Sequence, residues 1–298
     1  MILEMKKKVV KSILVLLFII IIIAIIAITY YKTYEIKQKE IEDVCEVSIQ
    51  KYKKRKIFII KPKEQKETKQ TILYIHGGSY MAKATENHWE FIKKIAIDTQ
   101  STIILPDYPL APKYTYKEVF GIMEPFYKDI IEKVEPTKFI VMGDSAGGGL
   151  ALALEEKLSQ EGVSMPEKTI LISPWLDVRL NNPEITEVQK KDKELNKETL
   201  KLAGIAYAGT DGINSYLVNP IEGDLSKLKN ITILTGTNDI LNPDAHLLQE
   251  KAKKQGITID IKEYENAGHI WFIEKNSSQE LIEQGYQDIL ELITGEEN

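Results

Sequence analysis

GDSAG, at residues 143–147, is the stretch that decides the fold of this chain. An apolar, β-branched run at 138–142 precedes it, and a stretch rich in glycine, leucine and alanine at 148–154 follows it. A strand that turns sharply into a helix leaves room only for small residues beside the turning residue. The pattern predicts a strand, a tight turn and a helix, with the Ser145 hydroxyl raised above a sheet at a helix N-terminus.

From residue 56 onward, short apolar runs alternate with helical patterns. The runs predict strands at 57–60, 71–75, 102–105, 139–142, 169–172, 231–234 and 257–261. Helices are predicted at 88–98, 116–134, 146–159, 244–254 and 279–293. This alternation indicates an α/β domain over 56–298, with a mostly parallel central sheet and helices on both faces. The polar, helix-rich insertion at about 181–216 is predicted to be a small helical cap over the carboxyl edge of the sheet.

The composition excludes several classes of protein. The chain has 298 residues, 43% of them hydrophobic and 28% charged, which is ample for one large domain with a sizeable core. A net charge of −5 argues against nucleic acid as a partner. The single cysteine, Cys45, rules out an internal disulfide and a metal site built from cysteines.

Residues 1–31 are predicted to be a membrane anchor, with one transmembrane helix at about 9–31. Residues 13–28 are all apolar and follow lysines at 6, 7, 8 and 11, and about 20 apolar residues span a bilayer core. We favour an uncleaved signal anchor over a cleaved signal peptide, because no A-x-A-like site follows. A buried core helix is the third alternative, disfavoured because isoleucine occupies every face.

A charged segment at 32–55 joins this anchor to the α/β domain. Its apolar residues Ile36, Ile41, Val44 and Val47 have helical spacing, which is compatible with a juxtamembrane helix or a lid, and also with a solvated linker. Lysines lie on both sides of the anchor. The four in the short N-terminal tail favour a single-pass topology with the domain on the extracytoplasmic side.

Two histidines lie downstream of Ser145 and are candidates for a catalytic base. His269 follows a predicted strand in a glycine-containing loop, whereas His246 lies inside a predicted helix. We predict His269 as the base, because a loop at a strand end can aim an imidazole at the elbow. The carboxylate that orients this base is predicted to be Asp239, which follows the predicted strand 231–234. Asp244 is the alternative, which we interpret as a helix N-cap.

The loop HGGSY, at 76–80, follows the predicted strand 71–75. Glycines let backbone amides approach a substrate oxygen closely, so this loop and the amide of Ala146 are candidates to stabilise an oxyanion. His76 is predicted to brace the loop by hydrogen bonding rather than to transfer a proton.

These motifs together resemble the hormone-sensitive-lipase-like branch of the α/β-hydrolases, the fold-3 carboxylesterases. The matching stretches span about 56–275 and are HGG at 76–78, DYPLAP at 107–112, GDSAGG at 143–148, ISPWLD at 172–177, NP at 219–220, GDL at 223–225, DIL at 239–241 and His269. Three departures from the family pattern are Ser79 for a third glycine, Pro109 after Tyr108, and an extra residue before Asp244.

The resemblance implies a serine carboxylesterase that acts on short- to medium-chain esters without a cofactor or metal. The residues it implies are the triad Ser145, Asp239 and His269, and the oxyanion amides of Gly77, Gly78 and Ala146. A peptidase or amidase on the same fold is an alternative, and so is a non-catalytic binding module. The presence of every triad member argues against the second. The sequence makes no prediction of oligomeric state.

Overall fold

A single eight-stranded sheet organises the computed structural model, which describes residues 41, 43–64 and 69–296. The strands are β1 (Cys45–Tyr52), β2 (Arg55–Pro62), β3 (Thr71–Ile75), β4 (Thr102–Pro106), β5 (Phe139–Asp144), β6 (Lys168–Ile172), β7 (Ile231–Gly236) and β8 (Ile259–Tyr264). Their order across the sheet is β1-β2-β4-β3-β5-β6-β7-β8. The pairs β1–β2 and β2–β4 are antiparallel and all others are parallel, which confirms the predicted mostly parallel sheet.

Helices cover both faces of this sheet. They are α1 (Glu86–Thr99), α2 (Tyr116–Ile131), α3 (Ala146–Gln160), α4 (Ile185–Val188), α5 (Lys197–Ala208), α6 (Asn242–Lys254), α7 (Trp271–Glu274) and α8 (Gln279–Thr294). Successive side chains of β3 alternate between two buried clusters: Leu73 and Ile75 join one, and Ile72 and Tyr74 the other. Burial of each large apolar side chain contributes about 1.5–3 kcal/mol, so both faces stabilise the sheet.

The connection between β6 and β7 contains α4 and α5, which both lie within the range 181–216 predicted for the cap. α5 is the longer helix. Asn196 caps its N-terminus by accepting a hydrogen bond from the Thr199 amide, at 3.0 Å. Its buried side chains, Leu200, Ala203 and Tyr207, join the same apolar cluster as the core of α3. The cap is therefore continuous with the main core.

Residues 45–52 form a strand, which corrects the helical interpretation of the segment 32–55. β1 pairs with β2 through a tight turn at Lys53 and Lys54, whose φ angles are 45° and 70°. Hairpin turns of this conformation usually carry asparagine and glycine, so two lysines give no turn signal in the sequence. The charged residues of β1 lie on an exposed edge strand, where they hinder pairing with other chains. The sheet therefore begins at Cys45 rather than at residue 56.

The predicted anchor at 1–31 lies outside the described residues. Among residues 41, 43–64 and 69–296, every helix is too short or too polar to cross a membrane.

Two adjacent glutamates, Glu155 and Glu156, are fully buried in α3, on the side that packs against the sheet and the cap connection. Both carboxyl oxygens of Glu155 contact the Thr169 hydroxyl, at 2.8 and 3.0 Å. Burial raises the pKa of Glu155 from 4.5 to about 8. The folded protein therefore keeps this proton at neutral pH, whereas the unfolded chain releases it near the ordinary glutamate pKa.

We predict that Glu155→Gln becomes increasingly stabilising relative to the parent as pH rises from 5 to 8. Since the folded state binds the proton more tightly, its stability falls with rising pH between 4.5 and about 8. Glutamine keeps the hydrogen-bonding shape and has no proton to lose. Urea unfolding of the full chain should show the variant gaining at least about 1 kcal/mol across this interval. Glu250→Gln, at an exposed position of α6, is the control, and parallel pH curves for all three proteins would contradict the prediction.

Candidate active site

Ser145 occupies the sharp turn between β5 and α3, as the sequence predicts. Its φ and ψ angles are 51° and −122°, a conformation that residues other than glycine rarely adopt. Two backbone hydrogen bonds hold it: its amide donates to the Ile172 carbonyl and its carbonyl accepts from the Trp175 amide, both at 2.8 Å. The residue is 5% exposed, so it lies in a nearly closed environment.

The two glycines of GDSAG are required by close backbone contacts. A Cβ on Gly147 would lie 1.9 Å from the Ile75 carbonyl oxygen, at the end of β3. A Cβ on Gly143 would lie 2.6 Å from the Gly147 carbonyl oxygen. Both distances are far below van der Waals contact. The elbow therefore packs directly against the strand that leads into the 76–80 loop.

His269 and Asp239 form a buried pair, as predicted. The Nδ1 of His269 lies 2.8 Å from Oδ2 of Asp239, whose other oxygen accepts a hydrogen bond from the Leu241 amide at 2.9 Å. Burial by itself would lower the pKa of His269. The Asp239 carboxylate outweighs this effect, so the pKa lies above its ordinary value. The carboxylate thus fixes the Nδ1–H tautomer and stabilises the protonated ring.

The order of the strands brings this pair to the edge of the sheet where Ser145 stands. β7, which leads to Asp239, is separated from β5 only by β6. The Ser173 hydroxyl accepts a hydrogen bond from the Ile270 amide at 3.3 Å. The carbonyl of Ile172, the residue before Ser173, accepts the hydrogen bond from the Ser145 amide. Two consecutive residues, the last of β6 and the one that follows it, thus tie the histidine loop to the elbow.

Neither alternative residue joins this arrangement. His246 lies on α6 and contacts Oε1 of Glu263 at 2.6 Å, in a partly exposed position. Asp244 is not the N-cap predicted for α6, because the helix starts at Asn242 and places Asp244 inside its first turn. There it is buried, accepts a hydrogen bond from Asn182 at 3.0 Å, and has its pKa raised by burial to about 7.

The structure corrects the role predicted for Gly77. Its amide donates to Oδ1 of Asp144 at 3.0 Å, in a buried position, and so points at a carboxylate rather than at a substrate. A Cβ on Gly77 would lie 3.0 Å from Cβ of Ser145, so this residue still packs against Ser145. The loop continues through Gly78 and Ser79, with φ angles of 108° and 55°. The amides after Gly77 and the amide of Ala146, at the N-terminus of α3, are the remaining candidates to stabilise an oxyanion.

His76 braces this loop, as expected from the sequence. Its Nδ1 lies 2.7 Å from the Gly77 carbonyl oxygen, and its own carbonyl accepts a hydrogen bond from the Tyr108 hydroxyl at 2.7 Å. Burial and the nearby His88 lower the pKa of His76 to about 4, so the ring is neutral and donates through Nδ1. Because the C=O and N–H of one peptide point in opposite directions, this bond aims the Gly78 N–H away from His76.

The cap contributes contacts that the sequence did not reveal. Oδ2 of Asp192 accepts a hydrogen bond from the Ile240 amide at 2.9 Å, directly after Asp239. A Cβ on Gly268 would lie 2.7 Å from Oε1 of Glu194, so this carboxylate lies against the His269 loop. Both residues belong to a polar stretch without a recognisable motif, and only proximity in space reveals them. Within the described residues, no cluster of histidine, cysteine, aspartate and glutamate is arranged to hold a metal ion.

We predict that Gly147→Ala destabilises the protein by at least about 1–3 kcal/mol, because the new methyl group must displace the backbone at the end of β3. The matched control is Gly121→Ala in α2, where a Cβ meets nothing within 4 Å. This control should be neutral or stabilising by up to about 1 kcal/mol, since alanine favours helix. Urea unfolding of both variants measures the difference. Equal stabilities would mean that the elbow tolerates a side chain at residue 147.

Comparison with known proteins agrees with this geometry. A family model described as alpha/beta hydrolase fold matches residues 72–273. An esterase of Acinetobacter venetianus is 34% identical over 205 residues, which cover 68% of this chain and 67% of that protein. An acetyl-hydrolase of Streptomyces hygroscopicus is 29% identical over 205 residues, covering 67% and 68%.

A solved structure supports the same fold. The crystal structure of an esterase from the bacterial hormone-sensitive lipase family superposes with a TM-score of 0.78 at 24% identity, covering 85% of each chain. The family model covers most of the chain, and its span includes Ser145, Asp239 and His269. The chain therefore belongs to the α/β-hydrolase fold family, in the hormone-sensitive-lipase-like branch.

Proposed function

We propose that this carboxylic ester hydrolase is a serine esterase that cleaves short- to medium-chain carboxylic esters through an acyl-enzyme on Ser145. The observation that carries the proposal is the buried hydrogen bond of 2.8 Å between His269 and Asp239, at the edge of the sheet where the elbow presents Ser145. The esterase and acetyl-hydrolase names of two relatives support ester substrates.

The first half-reaction transfers the acyl group to the serine. The Ser145 hydroxyl attacks the ester carbonyl while the second ring nitrogen of His269, Nε2, takes its proton. Asp239 stabilises the imidazolium that forms, and its contact accounts for the raised pKa of His269. The imidazolium then protonates the leaving alcohol, and the C–O bond of the ester breaks.

The second half-reaction returns the free enzyme. Water takes the place of the alcohol, His269 removes a proton from it, and the acyl group leaves as a carboxylic acid while Ser145 regains its proton. Both tetrahedral intermediates carry a negative oxygen. We assign its stabilisation to the amides of Gly78, Ser79 and Ala146, because the amide of Gly77 is directed at Asp144.

We predict that His269→Ala lowers kcat/KM for p-nitrophenyl acetate by at least about 10⁴-fold, because a base and its carboxylate act with the nucleophile as one unit. His246→Ala is the matched control, since His246 contacts Glu263 on the surface of α6, and it should retain nearly full activity. Ser145→Ala should lose turnover to the same extent as His269→Ala and should not react with a fluorophosphonate probe.

The same assay separates the alternatives to an esterase. A p-nitroanilide with the same acyl group should be cleaved far more slowly than the ester, whereas comparable rates would favour an amidase or peptidase. Failure of the fluorophosphonate to label wild-type protein would favour a binding module without catalysis. Retention of substantial ester hydrolysis by Ser145→Ala would refute the acyl-enzyme.

We also propose that residues 9–31 anchor the enzyme in a membrane, with the catalytic domain on the extracytoplasmic side. The apolar run at 13–28 and the four preceding lysines support this topology. When intact cells that express the full chain are treated with protease, the domain should be degraded as readily as in lysed cells. Full protection in intact cells would reverse the orientation, and recovery of the chain in the soluble fraction would refute the anchor.

A further inference from the structure

A buried network that the proposed reaction does not use lies directly beneath the loop 76–80. Its centre is the carboxylate of Asp144, the residue before the nucleophile, which is completely buried. Three donors from three parts of the fold surround it. The Tyr74 hydroxyl of β3 lies 2.6 Å and the Gly77 amide 3.0 Å from Oδ1, and Nε2 of His88 in α1 lies 3.0 Å from Oδ2.

The position of the proton on His88 follows from its other neighbour. The Thr85 amide, at the N-cap of α1, donates to Nδ1 of His88 at 3.0 Å, so Nδ1 is an acceptor and Nε2 carries the proton. The Nε2–H therefore donates to Asp144. The capping box thus fixes both the start of α1 and the orientation of the imidazole.

The donors around Asp144 favour its ionised form. Burial acts to raise its pKa, but the contact with His88 and the hydrogen bond from Tyr74 outweigh burial and hold the pKa below its usual range. For His88, burial acts to lower the pKa, and Asp144, with Glu274 further away, outweighs it. A carboxylate in this state needs all of its donors, since an unpaired buried charge is costly.

The carboxylate transmits this constraint to the oxyanion loop. Oδ1 of Asp144 holds the N–H of Gly77, and the His76 ring holds its C=O, so the Gly77 residue is fixed at both ends. The next residues, Gly78, Ser79 and Tyr80, have consecutive positive φ angles of 108°, 55° and 60°. Backbone of this kind persists only where surrounding contacts determine it.

We propose that His88 is a positioning residue for the oxyanion hole: acting through Asp144, and supported there by Tyr74, it fixes the Gly77 peptide and thereby the direction of the Gly78 N–H. This inference rests on the proposed esterase function. His88 does not touch the substrate. It determines how well the amides after Gly77 meet the negative oxygen of the tetrahedral intermediate.

Two substitutions of His88 separate its two contacts. Asparagine places a polar atom near the position of Nδ1 and can keep the contact with Thr85, but it is too short to reach Asp144. Glutamine places an N–H donor near the position of Nε2 and can reach Asp144. We expect His88→Asn to lower kcat for p-nitrophenyl acetate by at least about 10-fold with KM changed less than about 3-fold, and His88→Gln to recover most of the loss.

The readout that distinguishes positioning from loss of folded enzyme is the affinity for a trifluoromethyl ketone. In that adduct the Ser145 oxygen bonds to the carbonyl carbon, the serine proton passes to His269, and the carbonyl oxygen becomes an oxyanion in the hole. Measured per active site titrated with a fluorophosphonate, this affinity should fall in His88→Asn in proportion to kcat. An unchanged affinity, with kcat lowered only through fewer active sites, would overturn the proposal.

A second variant decides the matter if His88→Asn does not fold. Tyr74→Phe removes the hydroxyl that donates to Oδ1 of Asp144 and leaves the ring packing in place. It should lower the affinity for the trifluoromethyl ketone by a larger factor than it raises KM. Unchanged ketone affinity in Tyr74→Phe would then overturn the proposal. If wild-type protein neither hydrolyses the ester nor reacts with the probe, the proposed function fails instead, which is a separate and recognisable outcome.

Discussion

The close packing of Gly147 against the end of β3 is the constraint on which the rest of the site depends. It allows the backbone of the elbow to touch the Ile75 carbonyl, so the turn that carries Ser145 and the loop that follows β3 cannot move independently. β3 and β5 are adjacent parallel strands, with Ile75 paired to Gly143 at the edge. Sheet register therefore places the loop 76–80 beside Ser145 independently of the side-chain contacts of the site.

Polar side chains then fix what the backbone packing brings together. Asp144 connects the elbow to the Gly77 amide, and Asp239 connects the loop after β7 to His269. Asp192 adds a third link, from the cap to the Ile240 amide beside Asp239. Asp144 and Asp192 each accept a backbone N–H from a loop, and Asp239 accepts the imidazole Nδ1–H of His269. Hydrogen bonds to a carboxylate are charge-assisted and stronger than neutral ones. These loops are thus held by contacts that preorganise them.

Much of the fold, the elbow at Ser145 and the pairing of His269 with Asp239 followed from the sequence, because hydrophobic alternation and motif order are local signals. The features that the sequence did not predict depend on contacts between residues that are distant along the chain. β1 pairs with β2 through a turn at Lys53 and Lys54, which contains none of the residues that usually form such turns. The sequence HGGSY does not distinguish the Gly77 amide from the amides that follow it. Only the position of the Asp144 side chain shows that the Gly77 amide already donates a hydrogen bond within the protein. The sequence favours Asp244 as an N-cap, whereas α6 begins two residues earlier, at Asn242, with Pro243 in its first turn.

Three buried histidines near this edge show that burial alone does not assign their roles. Burial lowers the pKa of each, yet contact with a carboxylate raises it for His88 and His269. The ring of His76 instead contacts the Gly77 carbonyl and stacks on Tyr108 at 4.5 Å, and its pKa falls to about 4. A neutral ring that donates one hydrogen bond suits a brace. Of the two rings with carboxylate partners, the one in α1 is held at both nitrogens, by Thr85 and Asp144. The ring of His269, in contrast, lies in the loop after β8, and its Nδ1 contacts Asp239, which leaves Nε2 for the proton transfer proposed above.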